Sequence, residues 1–417
     1  MWRIGYTLVL WLILPYVLAR LWWRGRKEPG YRRDIAERFG RYPVMASKPV
    51  IWLHAVSMGE TRAAEPLVTA LAERHPECEL VITQMTATGR QTAEQLFGGR
   101  ATLAYLPYDY PFAVRRFIEH FRPRLGVLME TEIWFNLVRQ CELRGVPLLL
   151  ANARLSENSA RGYARIAPLT HSALARMSAV AAQTESDAAR LRCLGASAVE
   201  VTGNIKFDMA PRPGMQELAA EFRRRFGGRR VLLAASTREG EEALLLDELA
   251  ANALSATIVA IVPRHPQRFE EVAGMLSRRG LAFVCRSEDR PVPSGCSFFL
   301  GDSLGEMSAY YAASDVAFIG GSLLAFGAQN LIEACAAGTP VLIGPSTYNF
   351  AQAAEEAIRN GAAMRVRDAA DLVDSARRLL SDDSARRRMS AAGIAFCAAH
   401  RGATGRLVAI CERLLRA

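Results

Sequence analysis

Short apolar runs alternate with amphipathic stretches along most of the chain. The runs are about five residues long and the stretches roughly ten to fifteen, which is typical of buried parallel strands joined by crossover helices. The pattern therefore predicts an α/β protein built on parallel sheets. Predicted strands lie at residues 50–53, 80–83, 103–106, 125–129, 148–151, 179–182 and 199–201, then at 231–235, 258–262, 283–285, 297–300, 316–319 and 341–343.

The chain has 417 residues, which is too long for one ordinary hydrophobic core. Residues 207–214 carry two prolines and a glycine and break the alternation, as a linker does. We therefore expect a Rossmann-like domain at 24–206, a linker at 207–214 and a second Rossmann-like domain at 215–417, with a cleft between the domains. Ligands of such sheets bind beyond the carboxyl ends of the strands.

The N-terminal segment from Ile4 to Trp23 is apolar except for Thr7, Arg20 and the polar tips of its aromatic residues. Its length just suffices to span a bilayer as a helix, and it lacks the small-residue cleavage site of a secretory signal. We expect residues 1–23 to be a retained membrane-anchor helix with the body of the protein in the cytoplasm. Spanning and lying in the interface remain alternatives.

The formal charge is +10, and much of the excess follows the apolar segment, between Arg20 and Arg33. A basic cluster placed there favours anionic membrane lipid over nucleic acid as a partner. The eight cysteines are scattered, without a Cys-x-x-Cys pair or a histidine at metal-ligand spacing. They are interpreted as buried, reduced thiols rather than as a metal site.

Acidic side chains follow two predicted strands of the first domain. Glu60 comes after the strand at 50–53, and Glu130 and Glu132 come after the strand at 125–129. Two acidic loops at parallel strand ends make a catalytic carboxylate one of two interpretations. The alternative for Glu60 is a carboxylate that stabilises the first turn of a helix beginning near Arg62.

The second domain has basic residues and glycines at its strand ends. Arg264 and His265 lie before a predicted helix whose N-terminus would attract a phosphate, unless they form a solvated turn. The segments 236–240 and 320–322 contain small residues at strand ends that would let a ligand approach the backbone, although tight turns use the same residue types. Glu333, on a helix opened by Gln329, could accept both hydroxyls of a ribose or could simply cap that helix. The combination is typical of nucleotide-sugar transferases.

An ordered set of motifs resembles one family. The motifs are HAVSMGE at 54–60, METEIW at 129–134, GNIK at 203–206, PRHPQRF at 263–269, GDSLGEM at 301–307, GGS at 320–322 and NLIEA at 330–334. In this order they resemble the 3-deoxy-D-manno-octulosonic acid (Kdo) transferases. The resemblance implies a GT-B fold, CMP-Kdo as the donor and a lipid A precursor (lipid IVA) as the acceptor, at the cytoplasmic face of the bacterial inner membrane.

The resemblance also implies roles for individual residues in an inverting, metal-independent transfer without a cofactor. Glu60 looks like the general base, and Glu130 and Lys206 look like groups that support the transition state. The implied CMP site comprises Arg264, His265, Gly305, Glu306, Met307, Asn330, Leu331, Ile332 and Glu333. The chain departs from the family pattern at Arg238, Gln329 and Ser346, where histidine is frequent, which leaves details of donor contact open.

Two alternatives remain from the sequence. One is another GT-B nucleotide-sugar enzyme, such as a UDP-sugar transferase or a 2-epimerase. The other is a non-catalytic, membrane-tethered lipopolysaccharide-binding protein in which the strand-end acids are structural.

Overall fold

The computed structural model describes residues 2–416, apart from the side chains of Lys27 and Pro29. The chain divides into two compact units. Unit 1 is Met1–Met209 with Arg401–Ala417, and unit 2 is Ala210–His400.

Unit 1 contains a seven-stranded, wholly parallel sheet with the strand order β3-β2-β1-β4-β5-β6-β7. The order reverses between β1 and β4, as in dinucleotide-binding folds. The strands are β1 (Val50–His54), β2 (Glu79–Gln84), β3 (Thr102–Tyr105), β4 (Pro123–Met129), β5 (Leu148–Ala153), β6 (Ala179–Ala182) and β7 (Val199–Val201).

The helices of unit 1 cover both faces of this sheet. They are α1 (Trp2–Lys27), α2 (Met58–Ala63), α3 (Glu65–Arg74), α4 (Ala87–Phe97), α5 (Pro111–Phe121), α6 (Phe135–Leu143), α7 (Glu157–Ala164), α8 (Ala167–Leu174), α9 (Glu185–Cys193) and the C-terminal α18 (Ala403–Arg416). By length and composition α1 could cross a membrane, and it continues four residues beyond the predicted segment.

Unit 2 contains a second parallel sheet of seven strands, in the order β10-β11-β9-β8-β12-β13-β14. Its strands are β8 (Arg230–Thr237), β9 (Thr257–Pro263), β10 (Phe283–Cys285), β11 (Phe298–Leu300), β12 (Val316–Ile319), β13 (Val341–Ile343) and β14 (Ala363–Arg365). Its helices are α10 (Met215–Arg225), α11 (Glu241–Ala251), α12 (Phe269–Arg278), α13 (Met307–Ala312), α14 (Ile332–Ala336), α15 (Ala351–Arg359), α16 (Ala369–Ser381) and α17 (Asp383–His400).

The central strands are apolar without interruption because helices bury both of their faces. In β1, Val50 and Trp52 join the core on one face of the sheet, while Ile51 and Leu53 join the core on the other. This two-sided burial explains why continuous apolar runs, rather than alternating ones, predicted strands, and each predicted strand overlaps an observed one.

Three features of the fold differ from the sequence prediction. The predicted linker at 207–214 is divided between the two units, because unit 1 extends to Met209 and unit 2 begins at Ala210. Residues 401–416 were predicted to belong to the second domain, but α18 packs on unit 1, where Leu407, Val408, Ile410 and Cys411 complete the core beside α3. The apolar stripe of a helix shows that it packs, but not against which partner. The short strand β14 was missed because only Ala363 of its three residues is buried.

Candidate functional site

The first acidic group lies where β1 ends and α2 begins. The Ser57 hydroxyl caps α2 and donates to Glu60 Oε1 at 2.9 Å, and the Val56 amide donates to Glu60 Oε2 at 2.8 Å. Because Ser57 is the N-cap and its side chain accepts from the Glu60 amide, α2 begins at Met58, four residues before the predicted start. The cap fixes the position of the carboxylate at the carboxyl edge of the sheet.

The pKa of Glu60 is raised from 4.5 to about 7, mainly by burial and then by the negative charge of Glu130. Glu132 adds a smaller repulsion, while hydrogen bonds from Val56 and Ser57 act in the opposite direction. A carboxyl group that titrates near neutrality is suited to general acid–base chemistry. Glu60 therefore both stabilises the start of α2 and carries a carboxyl group that can exchange a proton near neutral pH.

Glu130 follows β4 directly and adopts a left-handed backbone conformation, with φ of 57°. Lys206 approaches it from the loop after β7, and its Nζ lies 3.0 Å from Glu130 Oε1. The Asn204 side chain accepts from the Lys206 amide, and Asn152 accepts from the Ile205 amide, so that this loop is held in place. The structure thus brings Glu60, Glu130 and Lys206 together in unit 1.

Two further titratable groups lie beside these acids. Trp134 Nε1 donates to Glu132 Oε2 at 2.7 Å, and burial raises the pKa of Glu132 to about 7. His54 at the end of β1 is fully buried, which lowers its pKa to about 3 and keeps it neutral. Its Nδ1 lies 2.9 Å from the Thr83 hydroxyl, so His54 supports the strand end.

In unit 2, Arg264 lies just after β9 and its Nε donates to Gln329 Oε1 at 3.1 Å. Burial and the charge of Arg238 lower the pKa of Arg264, while Glu333 raises it. The pKa of His265 is lowered by burial and by the same two arginines. Two neighbouring guanidinium groups form a site that favours an anion.

The helix expected to start beside His265 is displaced. A 3-10 turn, Pro266–Arg268, comes first, and α12 begins at Phe269 with Glu270 and Glu271 in its first turn. Those acids would repel a phosphate at the helix N-terminus. An anion at this strand end would therefore be held by side chains rather than by the helix dipole.

A buried ion pair holds the same segment. Arg268 donates to Glu242 at 2.8 Å, and the Thr237 hydroxyl donates to the same carboxylate at 2.7 Å. The Glu242 side chain is 0% exposed and the Arg268 side chain 6% exposed. This pair ties the turn after β9 to the first turn of α11.

Glu241 is a functional candidate that sequence reasoning missed. Its carboxylate accepts hydrogen bonds from the backbone amides of Arg238 at 2.9 Å, Gly321 at 2.6 Å and Leu323 at 3.0 Å. One buried side chain therefore shapes both small-residue loops of unit 2. An acid directly after Gly240 at a strand end was the available signal.

The predicted ribose acid is also fixed locally. Asn330 Nδ2 donates to Glu333 Oε1 at 2.9 Å, and Asn330 Oδ1 accepts from the Ile332 amide at 3.1 Å, so α14 starts at Ile332. Leu331 and Ile332 are buried at 0% and 1% exposure. Their side chains belong to the core, which leaves only their backbone for contact with a ligand.

The predicted residues at 305–307 follow β11, the strand next to β9. Arg286 donates to both oxygens of Glu306, at 3.1 and 3.2 Å, and the Ser303 hydroxyl donates to the same carboxylate at 2.6 Å. Gly305 has a φ of 83°, and Met307 begins α13. Since Glu306 is already paired with an arginine, its clearest role here is to shape this loop.

The three departures from the family pattern lie around the glycine loop at 320–322. The Arg238 guanidinium is 4.3 Å from the centroid of the Phe326 ring, and Gln329 accepts from Arg264. The Ser346 hydroxyl accepts from the Gly327 amide at 3.1 Å.

Within residues 2–416, no group of three or more His, Cys, Asp or Glu side chains could hold a metal ion. Metal independence stays a prediction.

The two sheets and their strand-end sites define the class of protein. Residues 262–396 match the family described as glycosyl transferases group 1. The UDP-GlcNAc 2-epimerase from Neisseria meningitidis, solved bound to UDP-GlcNAc, is similar with a TM-score of 0.62 and 15% identity over 88% of this chain and 100% of that chain. At that identity the likeness concerns the fold alone. The chain is a GT-B glycosyltransferase.

Similarity in sequence gives the particular family. Residues 33–209 match the family described as 3-deoxy-D-manno-octulosonic-acid transferase. The 3-deoxy-D-manno-octulosonic acid transferase of Bordetella pertussis is 46% identical over 416 residues, which is 96% of each chain. The protein of the same description from Haemophilus influenzae is 35% identical over 98% of this chain and 97% of its own. The chain belongs to the Kdo transferase family.

Proposed function

We propose that this enzyme transfers Kdo from CMP-Kdo to a lipid A precursor (lipid IVA) with inversion at the anomeric carbon. Glu60 is the general base. The observation that carries the proposal is the buried carboxyl group of Glu60, whose pKa is raised to about 7 at a strand end of unit 1. Membership of the Kdo transferase family supports the sugar and the class of acceptor.

Glu60 takes the proton of the acceptor hydroxyl while that oxygen bonds to the anomeric carbon of Kdo. The bond between that carbon and the phosphate oxygen breaks, and CMP leaves with the bonding electrons as a phosphate monoester. Solvent then removes the proton from Glu60. Assistance of this kind contributes about 10²–10⁴ in rate.

The Glu130–Lys206 pair supports the base electrostatically. The charge of Glu130 raises the pKa of Glu60, and Lys206 at 3.0 Å compensates that charge and allows the acids to lie close together. In unit 2, Arg264 and Arg238 attract the phosphate of the donor, and Glu333 accepts the ribose hydroxyls. The cationic side chains supply the charge stabilisation that the departing CMP needs.

We place the enzyme on the cytoplasmic face of the bacterial inner membrane. The apolar α1 and the exposed basic side chains of Arg20, Arg24 and Arg26 favour binding to anionic lipid. An acylated acceptor is concentrated at that surface, so membrane binding gives the enzyme access to its substrate.

The test is product analysis with CMP-Kdo and a tetraacylated lipid A precursor. Wild-type protein should yield the glycosylated lipid and CMP, and Glu60→Gln should lose at least 10² in rate. Glu65→Gln is the matched control, because Glu65 also lies in the first turn of a helix in unit 1 but has no proposed role. Transfer by Glu60→Gln at the native rate would remove Glu60 as the base. Tighter binding of UDP than of CMP would favour a UDP-sugar enzyme instead.

A further inference from the structure

The side chains of α1 that are least exposed lie on one face of the helix. Apart from the first two, which are adjacent, they are spaced three or four residues apart. This spacing matches the helical period, so they form a single stripe along the length of the helix. The stripe consists of Tyr6, Thr7, Leu10, Leu14, Val17, Leu21 and Gly25. A tether that left the protein and crossed a bilayer alone would have no such continuous face.

The N-terminal part of this stripe contacts the body of unit 1. The Tyr6 hydroxyl donates to Asp109 Oδ2 at 3.0 Å, and the Tyr6 ring packs edge-on against Phe135 with centroids 5.0 Å apart. The Tyr110 hydroxyl donates to the Leu10 carbonyl at 2.6 Å. These contacts place the first third of α1 against the N-termini of α5 and α6.

Asp109 belongs to the interior and not to a flexible surface. It is 2% exposed, and its carboxylate accepts from the backbone amides of Asn136 at 2.9 Å and Leu137 at 2.8 Å, which caps α6. The Asn136 side chain donates to the Thr7 hydroxyl at 3.1 Å. Removing α1 would leave a buried carboxylate without one of its donors, which is costly.

The other end of the helix is also held. Leu21 is 7% exposed, and the Arg32 guanidinium donates to the Trp22 carbonyl at 2.9 Å. From Tyr6 to Gly25 the helix rises by about 29 Å, close to the thickness of a hydrocarbon core. If α1 spanned the bilayer in this conformation, the polar N-termini of α5 and α6 would also lie within the lipid.

The rest of α1 is apolar and open. Leu12 is 80% exposed and Tyr16 68% exposed, and Trp22 and Trp23 lie beside the exposed Arg24. An apolar surface of this extent, ending in aromatic and basic residues, matches the acyl region and anionic headgroups of one leaflet.

We propose that α1 lies along unit 1 in the plane of a single anionic membrane leaflet and does not cross the bilayer. Both ends of the helix then remain on the same side as the rest of the chain. The proposal rests on the membrane location given under the proposed function and specifies its geometry. Unit 1 is thereby held against the lipid along the length of α1, and not only through one end of the helix.

Cross-linking in native membranes tests this arrangement. The rings of Trp11 and Phe112 are 5.8 Å apart, whereas Leu12 is directed outward. A short bifunctional maleimide should link the cysteines of Trp11→Cys/Phe112→Cys but not those of the control Leu12→Cys/Phe112→Cys, as read by mass spectrometry of the linked peptides. Absence of the first product, when each single variant is active and reacts with a monofunctional maleimide, would overturn the proposal.

A second measurement reads the side of the N-terminus. In the Cys193→Ser background, Arg3→Cys should react with an impermeant maleimide from the face on which native Cys193, which is exposed, reacts in wild-type protein. Reaction from the opposite face would show a spanning helix. Sedimentation with anionic vesicles separates the two proposals, because a protein that does not bind them fails the membrane location itself, whichever way α1 is arranged.

Discussion

Replacing Glu60 with glutamine should raise stability at alkaline pH while it removes activity. The rise in the pKa of Glu60 from 4.5 to about 7 corresponds to about 3 kcal/mol of unfavourable ionisation in the folded state. Because the folded-state pKa is raised, this cost is absent below about pH 4.5, where Glu60 is protonated in both states. The free energy of unfolding of the wild-type protein then falls by about 3 kcal/mol as the pH increases from about 4.5 through 7. Glutamine has no charge to bury and escapes the loss.

The substitution also weakens the cap of α2, where Glu60 accepts from Val56 and Ser57. We assign about 1 kcal/mol to that loss. The variant should therefore be about 2 kcal/mol more stable than wild type at pH 8 and about 1 kcal/mol less stable near pH 4.5. For a unit of this size, 2 kcal/mol raises the melting temperature by roughly 4–8 °C.

The assay is thermal unfolding of wild type, Glu60→Gln and the control Glu65→Gln in one detergent across pH 4.5–8, alongside the transfer assay. Glu65→Gln should show no crossover of stability with pH. If Glu60 were only an ionised carboxylate that stabilises the first turn of α2, Glu60→Gln would be less stable than wild type at pH 8. That result would refute the reasoning.

Three other predictions concern Glu130 in unit 1 and two side chains of unit 2. Glu130→Gln should move the acidic limb of the pH–rate profile to lower pH, because it removes a charge that raises the pKa of Glu60. An unmoved limb would show that the two carboxyl groups do not interact. Glu333→Ala should weaken CMP binding by roughly tenfold in calorimetry, equivalent to about 1.4 kcal/mol, and unchanged affinity would exclude this acid from the nucleotide site. Arg268→Met should destabilise unit 2 by about 3–5 kcal/mol, because it leaves Glu242 buried without its partner, and a melting temperature equal to that of wild type would contradict this.

The sequence predicted the sheets well because burial acts on local runs of residues. Leu148–Ala151 reads as a strand since every position is buried from both faces, and the structure extends it only to Ala153. The placement of α18 was beyond sequence reasoning, because its apolar residues would fit either unit. Contacts between distant segments decide that, and a hydrophobic pattern does not encode them.

For the candidate site, too, the sequence predicted the positions of residues but not the properties that depend on distant contacts. Glu60, Glu130 and Lys206 follow β1, β4 and β7, and the carboxyl ends of parallel strands meet at one edge of a sheet, which brings such residues together. The protonation behaviour of Glu60 could not be predicted, because it depends on burial and on the distances to other acids. The turn before α12 was likewise missed, since a proline after His265 is compatible with either a helix start or a 3-10 turn.

The carboxylate of Glu241 couples the conformations of the two strand-end loops of unit 2, at 236–240 and 320–322. Here a single acid joins the amides of residues 238, 321 and 323, and a replacement in either loop alters the surroundings of the other. A substitution that reshapes one of these loops should therefore require a compensating change in the other.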